Sequence, residues 1–267
     1  MSNAAQKVIE KVRGELAQAD RSRAPCDPVR PYLEPLGLDS AYAVQSLLIE
    51  ARLDAGQRIV GHKVGLTSVS VQQQLGVDQP DYGVLTDAME YGDQEEIPFS
   101  RFIQPKVEAE VAFILERNLD MGSISLAEVI RSVAYAVPAI EVVDSRIRDW
   151  KISIFDTIAD NASSAAFVLG GVAKKIDQLD LRLCGMRLDH RGEAVSSGCG
   201  GACLGNPLNA LTWLARKMVK LEQPLREGQV ILSGALGAMV QVTAGEVYEA
   251  SISGLGSVTA IFSRSES

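Results

Sequence analysis

The feature that most constrains this chain is a change of hydrophobic period near Arg58. Before it, apolar residues recur every three or four positions, the spacing that lines up side chains on one face of an α-helix. In AAQKVIEKVRGELAQ (4–18), Val8, Val12 and Leu16 form such a face, with Gly14 weakening the middle. A proline-bearing stretch, APCDPVRPYLEPLGL (24–38), separates this helix from a second. The second is predicted to start at Asp39 or Ser40 as N-cap and to stop at Gly56, with Ala43, Leu47, Leu48 and Ala51 as its apolar face.

Beyond Arg58 the pattern becomes short strands between glycine turns: RIVGHKVGL (58–66), VEAEVAFIL (107–115), AVPAIEVVD (136–144), AAFVLGG (165–171), LRLCGMRLDHRG (181–192), QVILSG (229–234) and the run 239–262. Two helices interrupt them, at 126–135 and at 207–221, the latter with Pro207 in its first turn, where proline is tolerated. The expected architecture is α+β, with a helical segment over residues 1–60 packed on a β-rich catalytic domain over 61–267.

Charge narrows the function class. Lys and Arg number 26 against 34 Asp and Glu, a net charge of -8 that disfavours binding to nucleic-acid phosphates or anionic membranes. The first twenty residues lack the apolar core of a signal peptide and no stretch has the roughly 18 apolar residues of a spanning helix, so a cytoplasmic enzyme is expected. Cys26, Cys184, Cys199 and Cys203 have no neighbouring histidines to complete a zinc pattern and are read as reduced thiols. The glycine pairs near 233–237 and 254–256 do not open a helix, which argues against nucleotide binding.

Three carboxylates carry the chemistry. In PKVEAEVAFILE (105–116), strand alternation puts Glu108 and Glu110 on one face, and Glu141 interrupts the apolar run Val137–Val143. Close carboxylates among apolar residues need protons or a cation, and a hard divalent ion bound by all three keeps positions for a chelating 2-oxo acid and a water. The competing reading puts Glu108 and Glu110 on the solvent face of an edge strand and pairs Glu141 with Arg146 or Arg148.

The motifs GHKVGLTS (61–68), QPDYGVL (79–85), QPKVEAEVAF (104–113), AIEVVDSRIRDW (139–150), DTIADNASS (156–164), LGNPLNALTWLARKM (204–218) and LSGALGAMV (232–240) occur in this order. Together they resemble the 2-hydroxypenta-2,4-dienoate hydratases, or 2-keto-4-pentenoate hydratases, of the fumarylacetoacetate hydrolase superfamily. The resemblance implies a twisted mixed β-sheet core of that type, a Mg²⁺ or Mn²⁺ ion on Glu108, Glu110 and Glu141, and a homo-oligomer built from pentamers. It also implies a 2-hydroxydienoate substrate in meta-cleavage degradation of aromatic compounds, beside a pathway decarboxylase or aldolase. Lys63 is expected to meet the substrate's carboxylate or developing enolate, and Asp81 to orient or deprotonate the attacking water. Ser163 and Ser233 are expected to contact substrate, Asp160 and Asn161 to fix their turn, and His62 to face away from Lys63 as a structural residue. The rival is 4-oxalocrotonate decarboxylase, which shares the triad but tends to carry an apolar residue where this chain has Asp81. A non-catalytic partner subunit is the third reading, disfavoured because Lys63, Asp81 and all three glutamates are present.

Overall fold

The computed structural model describes residues 2–68, 72 and 77–264. Three helices open the chain: α1 (Asn3–Ser22), α2 (Arg30–Leu33) and α3 (Leu38–Asp54). The Ser2 hydroxyl caps α1 by accepting the Ala5 amide at 3.2 Å. The buried face of α1 is Ile9, Val12, Leu16 and Ala19, so Ile9 rather than Val8 leads it.

On α3 the expected face is corrected. Ser40, Ala41, Val44, Gln45 and Ile49 are buried, Ala43, Leu47 and Leu48 are half-buried, and Ala51 is exposed. The reason is Gln45, whose amide donates to the carbonyls of Tyr82 (2.9 Å) and Ile158 (3.2 Å) and so takes a core position that hydropathy assigns to an apolar residue.

Two sheets form the body. The first is mixed and contains β1 (Ile59–Gly65), β2 (Asp81–Thr86), β3 (Glu90–Tyr91), β5 (Lys106–Leu115), β6 (Val133–Val143), β7 (Ser164–Leu169), β10 (Val230–Ala235) and β11 (Val240–Gln241), ordered β2-β1-β10-β5-β6-β7-β3 with β11 on β5. The second contains β4 (Glu96–Ile97), β8 (Gly185–His190), β9 (Glu193–Cys199), β12 (Val247–Ile252) and β13 (Gly256–Phe262), ordered β4-β13-β12-β8-β9. Three further helices are α4 (Leu126–Ser132), α5 (Ile154–Ala159) and α6 (Pro207–Lys220).

The helix expected over 126–135 ends at Ser132, because the β-branched and aromatic run from Val133 enters β6 directly. Strands β2 and β9 were not anticipated, the first because Pro-Asp reads as a turn and the second because its serines and glycine read as a loop. The main core joins the two sheets and α6 through residues such as Phe113, Tyr248, Phe262, Leu211 and Leu214. The other face of the first sheet carries a smaller cluster with Leu85, Ala112, Ala139, Phe167 and Leu232. The N-terminal helices pack through Ile9, Val12, Leu16, Leu33 and Val44 onto Ile147, Ile158 and Ala159. Among the described residues no helix is long and apolar enough to cross a membrane.

Candidate active site

The site grows from the face of the first sheet that carries the smaller cluster. Along β5 the side chains alternate: Val107, Ala109, Val111 and Phe113 enter the main core, leaving Glu108, Glu110 and Ala112 on the opposite face. β5 is central, between β10 and β6, so the edge-strand reading of its glutamates does not hold. Glu108 lies directly opposite Glu141 in the β5–β6 register. One oxygen from each of Glu108, Glu110 and Glu141 can be chosen so that all lie within 4.8 Å of one another.

The electrostatics of this cluster are unbalanced. Glu110 accepts the Gly234 amide at 2.7 Å, leaving its Oε1 without a hydrogen-bond partner, and neither oxygen of Glu141 has one. The counter-charge is Lys63 on β1, whose Nζ lies 3.3 Å from Glu141 Oε2. Arg146 pairs with Asp160, and Arg148 with Asp27, so neither serves Glu141. Burial pushes the Glu108 carboxyl up to about 7 and, with the repulsion of Glu141 and Glu108, holds Glu110 well above the carboxylate range. Burial also opposes the charge on Lys63, yet Glu141, Asp81, Glu108 and Glu110 outweigh it and hold the ammonium above its usual pKa. Orphaned carboxylate oxygens, fully buried and outnumbering their one ammonium, suit a hard divalent cation such as Mg²⁺ or Mn²⁺. The three residues fit that ion.

Above the triad lies a cavity of about 450 Å³, lined by Lys63, Asp81, Glu108, Thr157 and Ser163 among others. Glu110 and Glu141 are fully buried and stand behind this wall. Asp81 enters it because Asp81 pairs with Gly65 in the β1–β2 register, on the same side of β2 as Leu85. Burial raises the Asp81 carboxyl to about 6 against the pull of Lys63. Gly65 makes the approach feasible, since a Cβ there would collide with Asp81 Oδ1.

Ser163 reaches the cavity on a turn of three consecutive left-handed residues, Asn161, Ala162 and Ser163. That turn is locked: Asn161 exchanges two hydrogen bonds with the Val84 backbone, at 2.8 and 3.0 Å, while Asp160 holds Arg146. Ser233 is placed differently. It is buried at the bulge between Leu232 and Ala235, and it does not line the cavity, because the bulge instead turns the Gly234 amide toward Glu110. His62 faces away from Lys63, beside Tyr82 and Val84. Trp150, Ile152, Thr157 and Met239 line the cavity without having been singled out from sequence. Trp150, Thr157 and Met239 sit inside recognised motifs, whereas Ile152 falls between two of them.

The comparisons agree with this geometry. Residues 59–262 match the model of the fumarylacetoacetate hydrolase C-terminal family. The chain belongs to the fumarylacetoacetate hydrolase family, in its 2-keto-4-pentenoate hydratase branch. Within that branch it is 53% identical over 253 residues to a 2-keto-4-pentenoate hydratase of Paraburkholderia xenovorans, covering 95% of this chain and 94% of that one. It is 50% identical over 262 residues to 2-keto-4-pentenoate hydratase 1 of Dechloromonas aromatica, covering 98% and 100% of the two chains. Among solved fumarylacetoacetate hydrolase folds, 4-oxalocrotonate decarboxylase of Pseudomonas putida G7, complexed with magnesium and adipate, superposes with a TM-score of 0.88 at 33% identity over 95% and 97% of the chains. The acidic triad here could hold a metal of the kind present in that decarboxylase.

Proposed function

We propose that this chain is a hydro-lyase that adds water to 2-hydroxypenta-2,4-dienoate, or a substituted analogue, to give 4-hydroxy-2-oxopentanoate in meta-cleavage degradation of aromatic compounds. The observation that carries this reading is the placement of Lys63, Asp81 and Glu108 in the wall of one cavity. The names of relatives at half identity or better over nearly their whole length support it.

Glu108, Glu110 and Glu141 would hold a Mg²⁺ or Mn²⁺ ion, which when bound supplies Lewis acidity toward a 2-oxo acid. The remaining work falls to the chain's own groups. The dienol must gain a proton at C5 and lose its enol proton, giving an unsaturated 2-oxo acid. Water then adds at C4 and a proton at C3. Both stages develop negative charge on the C2 oxygen, which the Lys63 ammonium is placed to offset. Asp81, raised to about 6 by burial and lining the cavity, is suited to take a proton from the attacking water near neutral pH. The Ser163 hydroxyl, 3.4 Å from that of Thr157, is a neutral donor in the cavity wall placed to orient the substrate.

Decarboxylation is the alternative that the shared triad permits, and Asp81 weighs against it. Incubation with Mg²⁺ and 2-hydroxypenta-2,4-dienoate should consume the dienol without releasing CO₂. Stoichiometric CO₂ from 2-oxo-3-hexenedioate, with no hydration of the pentadienoate, would replace this reading. The same reading includes a homo-oligomer of pentamers, which light scattering on the eluted protein tests, and the division into a 1–60 helical segment and a 61–267 catalytic domain.

A further inference from the structure

A second cavity, about 330 Å³, lies away from the triad, where the end of α1 and α3 meet the segment before β5 and the end of β6. Its charged lining is Arg23, Arg52, Arg101 and Arg146 with Asp20 and Asp144, joined by the polar Gln57. Four guanidiniums in one small space repel each other unless anions divide them, so the partners of each decide what the cavity can do.

The carboxylates are already engaged. Asp20 pairs with Arg23 at 3.0 Å. Asp144 accepts the amides of Ile103 (2.9 Å) and Gln104 (2.7 Å). Asp160, behind the wall, is bound by the Nε and backbone amide of Arg146. Among the described residues, Arg52 and Arg101 have no carboxylate within ion-pair distance. Arg52 has only the Met89 sulfur, at 3.7 Å, and Arg101 has the Tyr91 hydroxyl, at 2.6 Å. Burial, with Arg146 nearby, pushes the Arg52 pKa below its usual value. Gln57 accepts from Thr86 through Oε1, leaving its amide nitrogen as a further donor.

We propose that this cavity is an anion site, taking a small oxyanion with two negative charges, such as phosphate or a short dicarboxylate, between Arg52 and Arg101. Guanidinium forks match such ligands bidentately, and the low dielectric of a half-enclosed cavity strengthens the attraction. The site is separate from the triad cavity, since no residue lines both.

The test is calorimetric titration of the full-length, metal-loaded protein with inorganic phosphate and, separately, with succinate, in a chloride buffer of low ionic strength. Saturable binding with one site per chain is expected, weakened at least tenfold in Arg52→Gln and in Arg101→Gln, and unchanged in Lys63→Met. Using two variants guards against one that does not fold, and circular dichroism reports folding for each. Binding by only one of the two anions identifies which shape the site takes. Absence of saturable binding of either, or binding that survives both arginine variants while disappearing in Lys63→Met, overturns the proposal.

Discussion

Asp81 and His62 are buried titratable groups on opposite faces of the same pair of strands, and each sets a lower limit on pH, Asp81 through activity and His62 through stability. Asp81 works as a base only when ionised. With its carboxyl at about 6, kcat/KM should rise about tenfold per pH unit below that value and level off above it. Asp81→Asn should lower kcat by about 10²- to 10⁴-fold and abolish the acidic limb, as a pH-rate profile of the two proteins would reveal. An intact limb in the variant would assign it to another group. His62 bears on stability. Burial without a partner for Nδ1 holds its imidazole neutral, down to about 4 from 6.5. Between those values the unfolded chain takes up a proton that the folded chain refuses. Stability is therefore lost as pH falls, by about 1.4 kcal/mol per unit and about 3 kcal/mol in all. Asp160, raised to about 6 by burial, works in the opposite direction, favouring the folded state as it is protonated. The difference between wild type and His62→Asn in urea melts at pH 7 and pH 4.5 isolates the histidine, and equal losses in both proteins would discard it as the source.

Strand β1 carries His62 and pairs with β2 at Asp81, and its two glycines separate stability from activity. A Cβ at Gly61 would strike the Val230 carbonyl across the parallel β1–β10 pairing, where backbone has nowhere to go. Gly61→Ala should cost about 1–3 kcal/mol, read from denaturant melts. A Cβ at Gly65 meets the carboxylate end of Asp81 and comes within 3.3 Å of Lys63 Nζ. Gly65→Ala should therefore lower kcat/KM more than tenfold while leaving the melting temperature within a few degrees, a split that steady-state kinetics and calorimetry detect. These elements show how much the sequence could disclose. Alternation alone aligned Glu108 with Glu110, and the isolated acid in an apolar run marked Glu141, because strand geometry fixes side-chain direction within two residues. That Glu141 stands opposite Glu108 and is met by Lys63 depends on register between segments far apart in sequence, which no local pattern encodes. The motif resemblance grouped the three glutamates before the structure did, but it assigned Lys63 to the substrate and not to Glu141. Where neither helped, tertiary hydrogen bonds decided: Gln45 displaced the expected apolar face of α3, and the Asn161–Val84 exchange made a strand of a segment that reads as a turn.

At the scale of the molecule, one buried carboxylate reinforces the apolar packing between the N-terminal helices and the β body. Asp156, on α5, accepts the amides of Val29, Arg30 and Ser153 and the Arg30 guanidinium, each at 2.8 Å. The next residue is Thr157, and the same helix leads into the turn that presents Ser163 to the cavity. The metal triad, by contrast, rests on β5 and β6 inside the main sheet and makes no use of this joint. Removing the carboxylate in Asp156→Ala strands three backbone amides and a guanidinium, a loss of about 3–5 kcal/mol by analogy with broken buried pairs. Hydration should fall with it, because Thr157 and Ser163 lose the support of α5. Affinity for Mn²⁺ should stay within about threefold of wild type, since each 1.4 kcal/mol of altered binding would already be a tenfold change. Urea melts, turnover and a Mn²⁺ titration on the same protein decide the matter. A parallel loss of metal affinity and stability would mean that the triad depends on the N-terminal helices, and that the chain cannot be divided into a scaffold holding the metal and a mobile wall holding the substrate.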